Sequence, residues 1–270
     1  MPVTLSGSDL INRAWDAFED EDFEAAEACA RRALMVEPTS VEARVLIARS
    51  LVAQERYAEA LPVLKDAAAA EPDAPEILAI LGITLFELCE FAEAIETLRG
   101  ALRAGSDEPD THYWFGLALE RTGDFVEADR AFARAHRIEP EEYPLPQRVS
   151  RAECLAAVEE ARAQLPGEFD RCLENLSIRL EELPDEEILK SFDPPMDPCL
   201  LGLFVGVPIP EKTADTLLRM PDQVFIFQRN LERSCLTHEI LVEEIRTTLY
   251  HEIGHYMGHD EDELDDLGIG

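Results

Sequence analysis

The sequence contains few aromatic and few basic residues. Aromatic side chains make up 7% of the 270 residues while alanine is abundant, which disfavours an all-β sandwich and favours helices. Only 24 side chains are basic against 57 acidic ones, so the formal net charge is -33. Binding to nucleic acid or to an anionic bilayer depends on Lys and Arg displacing counterions. The composition therefore excludes nucleic acid and membrane surfaces as partners.

Long apolar runs and closely spaced cysteines are also lacking. No stretch of about 18 apolar residues is present, and Met1 to Asn12 has neither the basic patch nor the apolar core of a signal peptide, so we expect a cytoplasmic protein. The six cysteines are scattered without a CxxC pair, which predicts reduced thiols and argues against a disulfide framework or a cysteine zinc knuckle. The length and the 46% apolar content suit two domains.

A period of 34 residues runs through the first half of the chain. An aromatic residue recurs at this spacing, and in each copy alanines follow three and ten residues later. The aromatic column is Phe23, Tyr57, Phe91 and Phe125, and the first alanine column is Ala26, Ala60, Ala94 and Ala128. Prolines Pro38, Pro72 and Pro140 close three of the four copies. The period predicts pairs of helices in which small residues permit close approach and proline ends the second helix.

This pattern resembles the tetratricopeptide repeat, with four units over residues 7–142. The resemblance implies an α-solenoid whose first helices line a concave face that binds an extended peptide of a substrate or partner protein. The residues counted on that face are Asn12, Trp15, Arg44, Arg49, Phe86, Tyr113 and Glu120. A rigid spacer or a dimerisation element without a peptide ligand is the alternative for this region.

A proline-rich linker is predicted at residues 143–150, where the repeat register ends. Beyond it, over residues 151–270, the patterns predict helices and strands without regular alternation, which indicates a small α+β domain. Helices are expected over 152–164, 169–176 and 237–257, and strands over 177–181, 200–210 and 223–228.

The histidines cluster near the end of the chain, in the sequence His251-Glu252-Ile253-Gly254-His255. On a helix His251 and His255 lie one turn apart on one face, so both imidazoles can reach one zinc ion. Zinc lowers the pKa of a bound water, and the neighbouring Glu252 can act as the general base that takes its proton. The spacing therefore predicts one Zn2+ per chain and hydrolysis of a carbonyl compound.

The second half also resembles the minimal bacterial zincin-like metallopeptidase family. The resemblance rests on residues 169–183, the Leu201–Pro208 stretch, residues 221–224 and residues 251–264. It implies a zincin-like α+β fold with an edge strand above the histidine helix, along which a peptide could lie extended.

The third zinc ligand is expected just after Gly258, because only 15 residues follow His255. In the HExxHxxGxx pattern the eleventh position falls on Glu261, where the resembling family usually has Asp. Asp260, His259 and Asp262 are alternatives, as is a solvated acidic tail with water completing the coordination sphere.

Together these patterns predict a cytoplasmic zinc-dependent metallopeptidase whose repeats recruit a substrate or partner protein. The alternative from another class is a protein-interaction scaffold whose zincin-like domain holds metal and cleaves nothing. An amidohydrolase acting on a small molecule would use the same chemistry.

Overall fold

The computed structural model describes residues 5–169, 173–174, 176–212, 222–260 and 263–264, with only the backbone at residue 168. The chain divides into two compact units. The first comprises Met1–Tyr143 together with Leu189–Pro198, and the second comprises Pro144–Ile188 together with Cys199–Gly270. Within the described residues, no helix combines the length and the apolarity that crossing a bilayer requires.

The first unit is a series of antiparallel helix pairs, which confirms the predicted helical repeats. Its helices are α1 Gly7–Glu19, α2 Phe23–Val36, α3 Val41–Ala53, α4 Tyr57–Ala70, α5 Pro75–Glu87, α6 Phe91–Arg103, α7 Pro109–Arg121 and α8 Phe125–Ile138. Small residues allow the two helices of a pair to approach closely. A Cβ atom on Gly82 would lie 2.5 Å from Leu98 Cγ, and one on Gly116 would lie 2.7 Å from Phe132 Cε1. These contacts explain why the repeat keeps a small residue in this column.

The turn inside each helix pair contains one residue in the left-handed region. These residues are Glu21, Glu55, Cys89 and Gly123, with φ of 60°, 58°, 59° and 78°. They are spaced by 34 residues, so the period fixes the backbone conformation of the turn as well as the helices. Three of the four copies hold a residue with a side chain at a position where glycine has the lower conformational cost.

A short proline-rich segment, Leu189–Pro198, belongs to the first unit although its neighbours in sequence belong to the second. We call it the proline strap. Cys89 Sγ lies 3.8 Å from Met196 O, and Lys190 pairs with Glu90 at 3.3 Å. Strap and repeat turns enclose a cavity of about 520 Å³, lined by Glu55, Arg56, Tyr57, Ala58, Glu59, Glu87, Leu88, Pro194, Pro195 and Asp197. The predicted assignment of all of residues 151–270 to one domain is therefore wrong for these ten residues, because tertiary packing joins them to the repeats.

The second unit has a three-stranded sheet with helices around it, as predicted for an α+β domain. Its elements are α9 Arg151–Ala163, β1 Leu176–Glu181, α10 Glu186–Leu189, β2 Gly202–Val205, β3 Asp222–Phe227, α11 Gln228–Ser234 and α12 His238–Met257, with α10 ending at the first residue of the strap. The strand order is β1-β3-β2. Strand β3 is parallel to β1 and antiparallel to β2, with Leu203 opposite Phe225. Apolar residues of α9, the sheet and α12 form one core.

Several predicted elements differ from the observed ones. The strand expected over 200–210 is limited to Gly202–Val205, and Ile209–Glu211 forms a 3-10 turn, since prolines at 208 and 210 cannot donate to a sheet ladder. Of the helix expected over 169–176, residue 173 is helical, Phe169 ends a 3-10 turn and Leu176 begins β1, while residues 170–172 and 175 lie outside the described residues. Helix α11 was not predicted at all.

The segment that leads into α9 is anchored by one buried carboxylate. Glu232 of α11 is 1% exposed and accepts hydrogen bonds from Arg148 at 2.8 Å and from the backbone of Val149 at 3.3 Å. Gln228 and Arg229 donate to the same carboxylate, and Gln147 N donates to the Glu232 backbone carbonyl at 2.7 Å. Residues 147–149, predicted to be linker, therefore form part of the second unit.

Candidate metal centre and its surroundings

Helix α12 holds the histidine pair rigidly because its other face is buried in the core. Leu241, Ile245, Leu249 and Ile253 are at most 1% exposed and recur every four residues along the helix. Thr237 caps the N-terminus of the helix, and its side chain accepts a hydrogen bond from Ile240 N. Since the apolar stripe fixes the rotation of the helix, it also fixes the direction in which the histidines point.

His251 and His255 lie one helical turn apart with their side chains together. Their Nε2 atoms are 2.9 Å apart, and their rings are nearly perpendicular, with centroids at 4.6 Å. Two nitrogens bound tetrahedrally to one zinc ion at about 2.05 Å would be separated by roughly 3.3 Å. The pair therefore has nearly the separation that a shared zinc ion requires.

The other nitrogen of His255 contacts the backbone. His255 Nδ1 lies 3.2 Å from the carbonyl oxygen of His259. If Nδ1 carries the proton and donates it to that carbonyl, Nε2 is left with the lone pair that a metal ion binds. The arrangement favours the ligating tautomer and fixes the ring.

The chain reverses immediately after α12. Gly258 ends the helix with φ of 96°, a left-handed conformation that favours glycine. A Cβ atom on Gly254 would lie 2.3 Å from Leu264 Cδ2, so the returning chain packs directly on the helix beside His255. Leu264 is thereby held against the turn of the helix that carries His255.

The predicted third ligands fall in this returning segment. His259 Nδ1 lies 3.2 Å from Glu263 Oε2, and Asp260 Oδ1 accepts from Glu263 N at 3.0 Å, so both side chains take part in a local turn. Glu261 and Asp262 lie outside the described residues. Among the side chains that the structure does describe, no group of three or more His, Cys, Asp or Glu is placed to hold a metal ion.

Glu252 is buried next to the pair and contacts strand β2. Its side chain is 7% exposed, and Oε2 accepts a hydrogen bond from Phe204 N at 2.6 Å. Helix and strand can approach this closely because residue 202 is glycine: a Cβ atom there would lie 2.5 Å from Thr248 Cγ2 and 3.2 Å from Glu252 Cγ. The predicted general base is thus fixed in position by a backbone amide.

A lysine cluster next to the histidine helix was missed by sequence reasoning. Lys212 Nζ donates to Asp222 Oδ2 at 2.5 Å and to Tyr256 Oη at 2.9 Å, and Asp222 also accepts from Val207 N. Burial works to lower the pKa of Lys212, but these hydrogen bonds outweigh it and raise the pKa above its usual value. The cluster fixes the loop that follows β2 beside α12. The sequence has only three lysines, at positions 65, 190 and 212. This scarcity is the one signal in the sequence that points to the cluster.

Most of the residues predicted to bind a peptide are engaged within the repeats. Arg49 pairs with Glu76 at 2.7 Å, and its guanidinium lies 5.9 Å from the Trp15 ring centre. Trp15 Nε1 donates to Glu42, and Arg44 donates to the carbonyl of Pro38. These contacts join neighbouring helices and leave the exposed parts of the side chains on the surface.

Two of the predicted peptide-binding residues are not on the surface. Phe86 is 2% exposed and packs edge-on against Phe91 and Trp114. Glu120 is also 2% exposed. The prediction is wrong for both, because neighbouring repeats cover positions that the helical phase alone assigns to an open face. Asn12 is exposed, and Tyr113 is half-buried against Phe132 and Tyr143.

These features define a helical-repeat protein with a small α+β domain that carries a histidine pair on a buried helix. Comparison with known families agrees with both parts. Residues 173–270 match the family described as Zincin-like metallopeptidase. Residues 11–75, 45–109 and 81–143 match the tetratricopeptide repeat. The chain thus joins tetratricopeptide repeats, which serve protein-protein interaction in general, to a zincin-like metallopeptidase domain.

Solved structures resemble part of the chain at a coarse level. MamA 41-end from Desulfovibrio magneticus RS-1 is 21% identical, with a TM-score of 0.46 over 50% of this chain and 77% of that one. A crystal structure of MamA protein is 22% identical, with a TM-score of 0.45 over 50% and 73% of the two chains. MamA MSR-1 is 20% identical, with a TM-score of 0.44 over 51% and 79%. No curated protein matches the chain.

Proposed function

We propose that the protein is a zinc-dependent metallopeptidase of the cytoplasm that hydrolyses peptide bonds in a substrate recruited through its repeats. The observation that carries the proposal is the 2.9 Å approach of the His251 and His255 Nε2 atoms, within a segment that matches zincin-like metallopeptidases. The donor set fits zinc, since neutral imidazole is a common zinc ligand and the His259 carbonyl favours the required tautomer.

In this proposal each residue has a distinct role. His251 and His255 hold the ion, and Glu261 completes the protein ligands from the returning segment. Zinc, when bound, supplies Lewis acidity that polarises a carbonyl and acidifies water. Glu252 takes a proton from the attacking water and delivers it to the leaving amine, and its burial excludes competing solvent from the carboxylate.

The repeats are proposed to bind an extended segment of a substrate or partner protein. Asn12, Trp15, Arg44, Arg49 and Tyr113 keep exposed surface on or near the first helices and are the residues proposed for this contact. Scattered cysteines without a disulfide framework favour a reducing compartment.

The test is the substitution Glu252→Gln, which replaces the proton-accepting carboxylate by an amide of nearly equal volume. We expect cleavage of an unfolded protein such as casein to fall by at least about 100-fold, while one zinc ion per chain is retained. Glu243→Gln, on the exposed face of the same helix, is the matched control and should change neither quantity. Wild-type turnover in Glu252→Gln would refute the role of Glu252.

Two further results would favour the alternatives. Zinc bound by the wild-type protein without cleavage of any unfolded protein would support the interaction scaffold. Hydrolysis of small amides without hydrolysis of proteins would support an amidohydrolase.

A further inference from the structure

The outer edge of strand β2 has a definite pattern of hydrogen-bonding groups. In the antiparallel pairing with β3, Phe227 N donates to Leu201 O, so Leu201 and, two residues on, Leu203 face β3 with their backbone groups. Gly202 and Phe204 alternate with them and direct their amides away from β3. Among the strands that the structure describes, β2 lies at the end of the sheet, so these amides form its outer edge.

The central amide of that edge is already in use. Phe204 N–H donates to Glu252 Oε2 at 2.6 Å, a hydrogen bond to a buried carboxylate. The contact is built into the fold, because Thr248 and Glu252 lie one turn apart on α12 and both meet the surface left open by Gly202. A side chain at residue 202 would force strand and helix apart.

We propose that the Phe204 amide is a shared donor, held by Glu252 in the resting protein and taken over by a backbone carbonyl of an extended peptide that pairs with β2. This inference rests on the proposed function, since it assigns the base a resting partner. Peptide pairing takes the amide away from Glu252 Oε2, so the carboxylate loses this hydrogen bond when a peptide backbone lies along the strand.

The proposal requires competition between two acceptors for one N–H group. A backbone amide of this kind serves one strong acceptor at a time, so Glu252 and the peptide weaken each other's hold on it. Removing the carboxylate should therefore tighten peptide binding, whereas an ordinary positioning or substrate-binding role would leave affinity unchanged or weaken it.

Binding can be measured on the zinc-free protein, where no cleavage intervenes. The probe is fluorescein-labelled casein, followed by fluorescence anisotropy. We expect Glu252→Ala to bind it roughly tenfold more tightly than wild type, as expected from loss of a competing hydrogen bond to a charged group. Glu243→Ala removes the same charge from the exposed face of α12 and should bind as wild type does. Equal or weaker binding by Glu252→Ala, or no binding by either protein, would overturn the proposal.

Amide hydrogen exchange tests the resting contact directly. In zinc-free protein the Phe204 amide should exchange about tenfold or more faster in Glu252→Ala than in wild type, and bound casein should restore its protection. The Leu203 amide, which faces β3, is the internal reference and should not change. Exchange of Phe204 at one rate in both proteins would contradict the inference.

A second variant controls for structural changes caused by removing the buried Glu252 side chain. Phe204→Pro removes the N–H group without removing a sheet hydrogen bond, because this amide faces away from β3. In that background Glu252→Ala should no longer tighten casein binding, with Phe204→Ala as the control for loss of the ring. If Glu252→Ala tightens casein binding as expected but the wild-type protein with zinc cleaves no peptide, the proposed function is refuted. The shared-donor proposal then still stands.

Discussion

At the scale of single residues, we propose that the histidine pair is completed by a further ligand from the segment after Gly258. Leu264 contacts the helix at Gly254, one residue before His255. His259 and Asp260 are used in a turn with Glu263. The HExxHxxGxx spacing favours Glu261 as the ligand.

We therefore expect Glu261→Ala to weaken zinc affinity by about 100-fold or more, since the ion would lose one of its protein ligands. Alanine at Asp260, Asp262 or His259 should change it by less than about tenfold. Competition with a chromophoric chelator measures all four variants on the same scale. Equal small losses at every position would mean that the acidic segment contributes only diffuse negative charge.

At the scale of elements, the contact between the proline strap and the repeat turns contains an unusual carboxyl group. Burial raises the pKa of Glu87 from its usual 4.5 to about 7, and the charges of Asp197 in the strap and Glu55 in a repeat turn add to the effect. Glu87 therefore stays protonated in the folded protein at a pH where the unfolded chain has already lost that proton.

Because the folded state binds the extra proton, the contribution of Glu87 to stability is fully present below about pH 4.5 and is lost as the pH rises through about 7. We expect Glu87→Gln to remove this pH-dependent loss of stability, which is worth up to about 3 kcal/mol. The variant should therefore become more stable relative to wild type as the pH rises from 5 to 8. Urea unfolding at several pH values measures the difference. Exposed Glu24→Gln is the control, and parallel pH profiles for wild type and Glu87→Gln would contradict the argument.

The elements could be predicted from the sequence where a local pattern decides the structure. The period of 34 residues predicts the helix pairs because each small residue faces a fixed partner, as Gly82 faces Leu98. The spacing of His251 and His255 likewise places both on one face of a helix. The helical phase alone predicted the wrong exposure for Phe86 and Glu120, because their burial depends on neighbouring repeats that the pattern of a single helix does not reveal.

Features that depend on distant segments were not predictable in the same way. The Phe204 amide and Glu252 are 48 residues apart, and Glu232 meets Arg148 across 84 residues. Neither pair lies within a repeat or a helical period, so no local spacing indicates it. Short helix α11, which carries Glu232, also lacks a long apolar stripe of its own.

At the scale of the whole molecule, the two units do not correspond to two uninterrupted stretches of sequence. The chain enters the second unit at Pro144, returns to the first for Leu189–Pro198 and re-enters the second at Cys199. A cut placed by the proline-rich composition alone would therefore misplace residues on both sides. We propose that each unit folds independently only when the cut between them keeps all residues of the Glu232 hydrogen-bond network in one fragment.

Two fragments that differ only in residues 144–150 test this boundary. Fragment 151–270 lacks Arg148 and the Val149 amide, so the buried Glu232 carboxylate loses two of its donors. We expect it to be about 3 kcal/mol less stable than fragment 144–270 in urea unfolding, because a buried charge without its partners is costly. Both fragments contain the proline strap without the repeats that it packs against, so its effect on stability is the same in both. Glu232→Gln should destabilise 144–270 more than 151–270, since only the longer fragment still holds the Arg148 ion pair. Equal stability of the two fragments would place the boundary after residue 150 and reduce residues 147–149 to a linker.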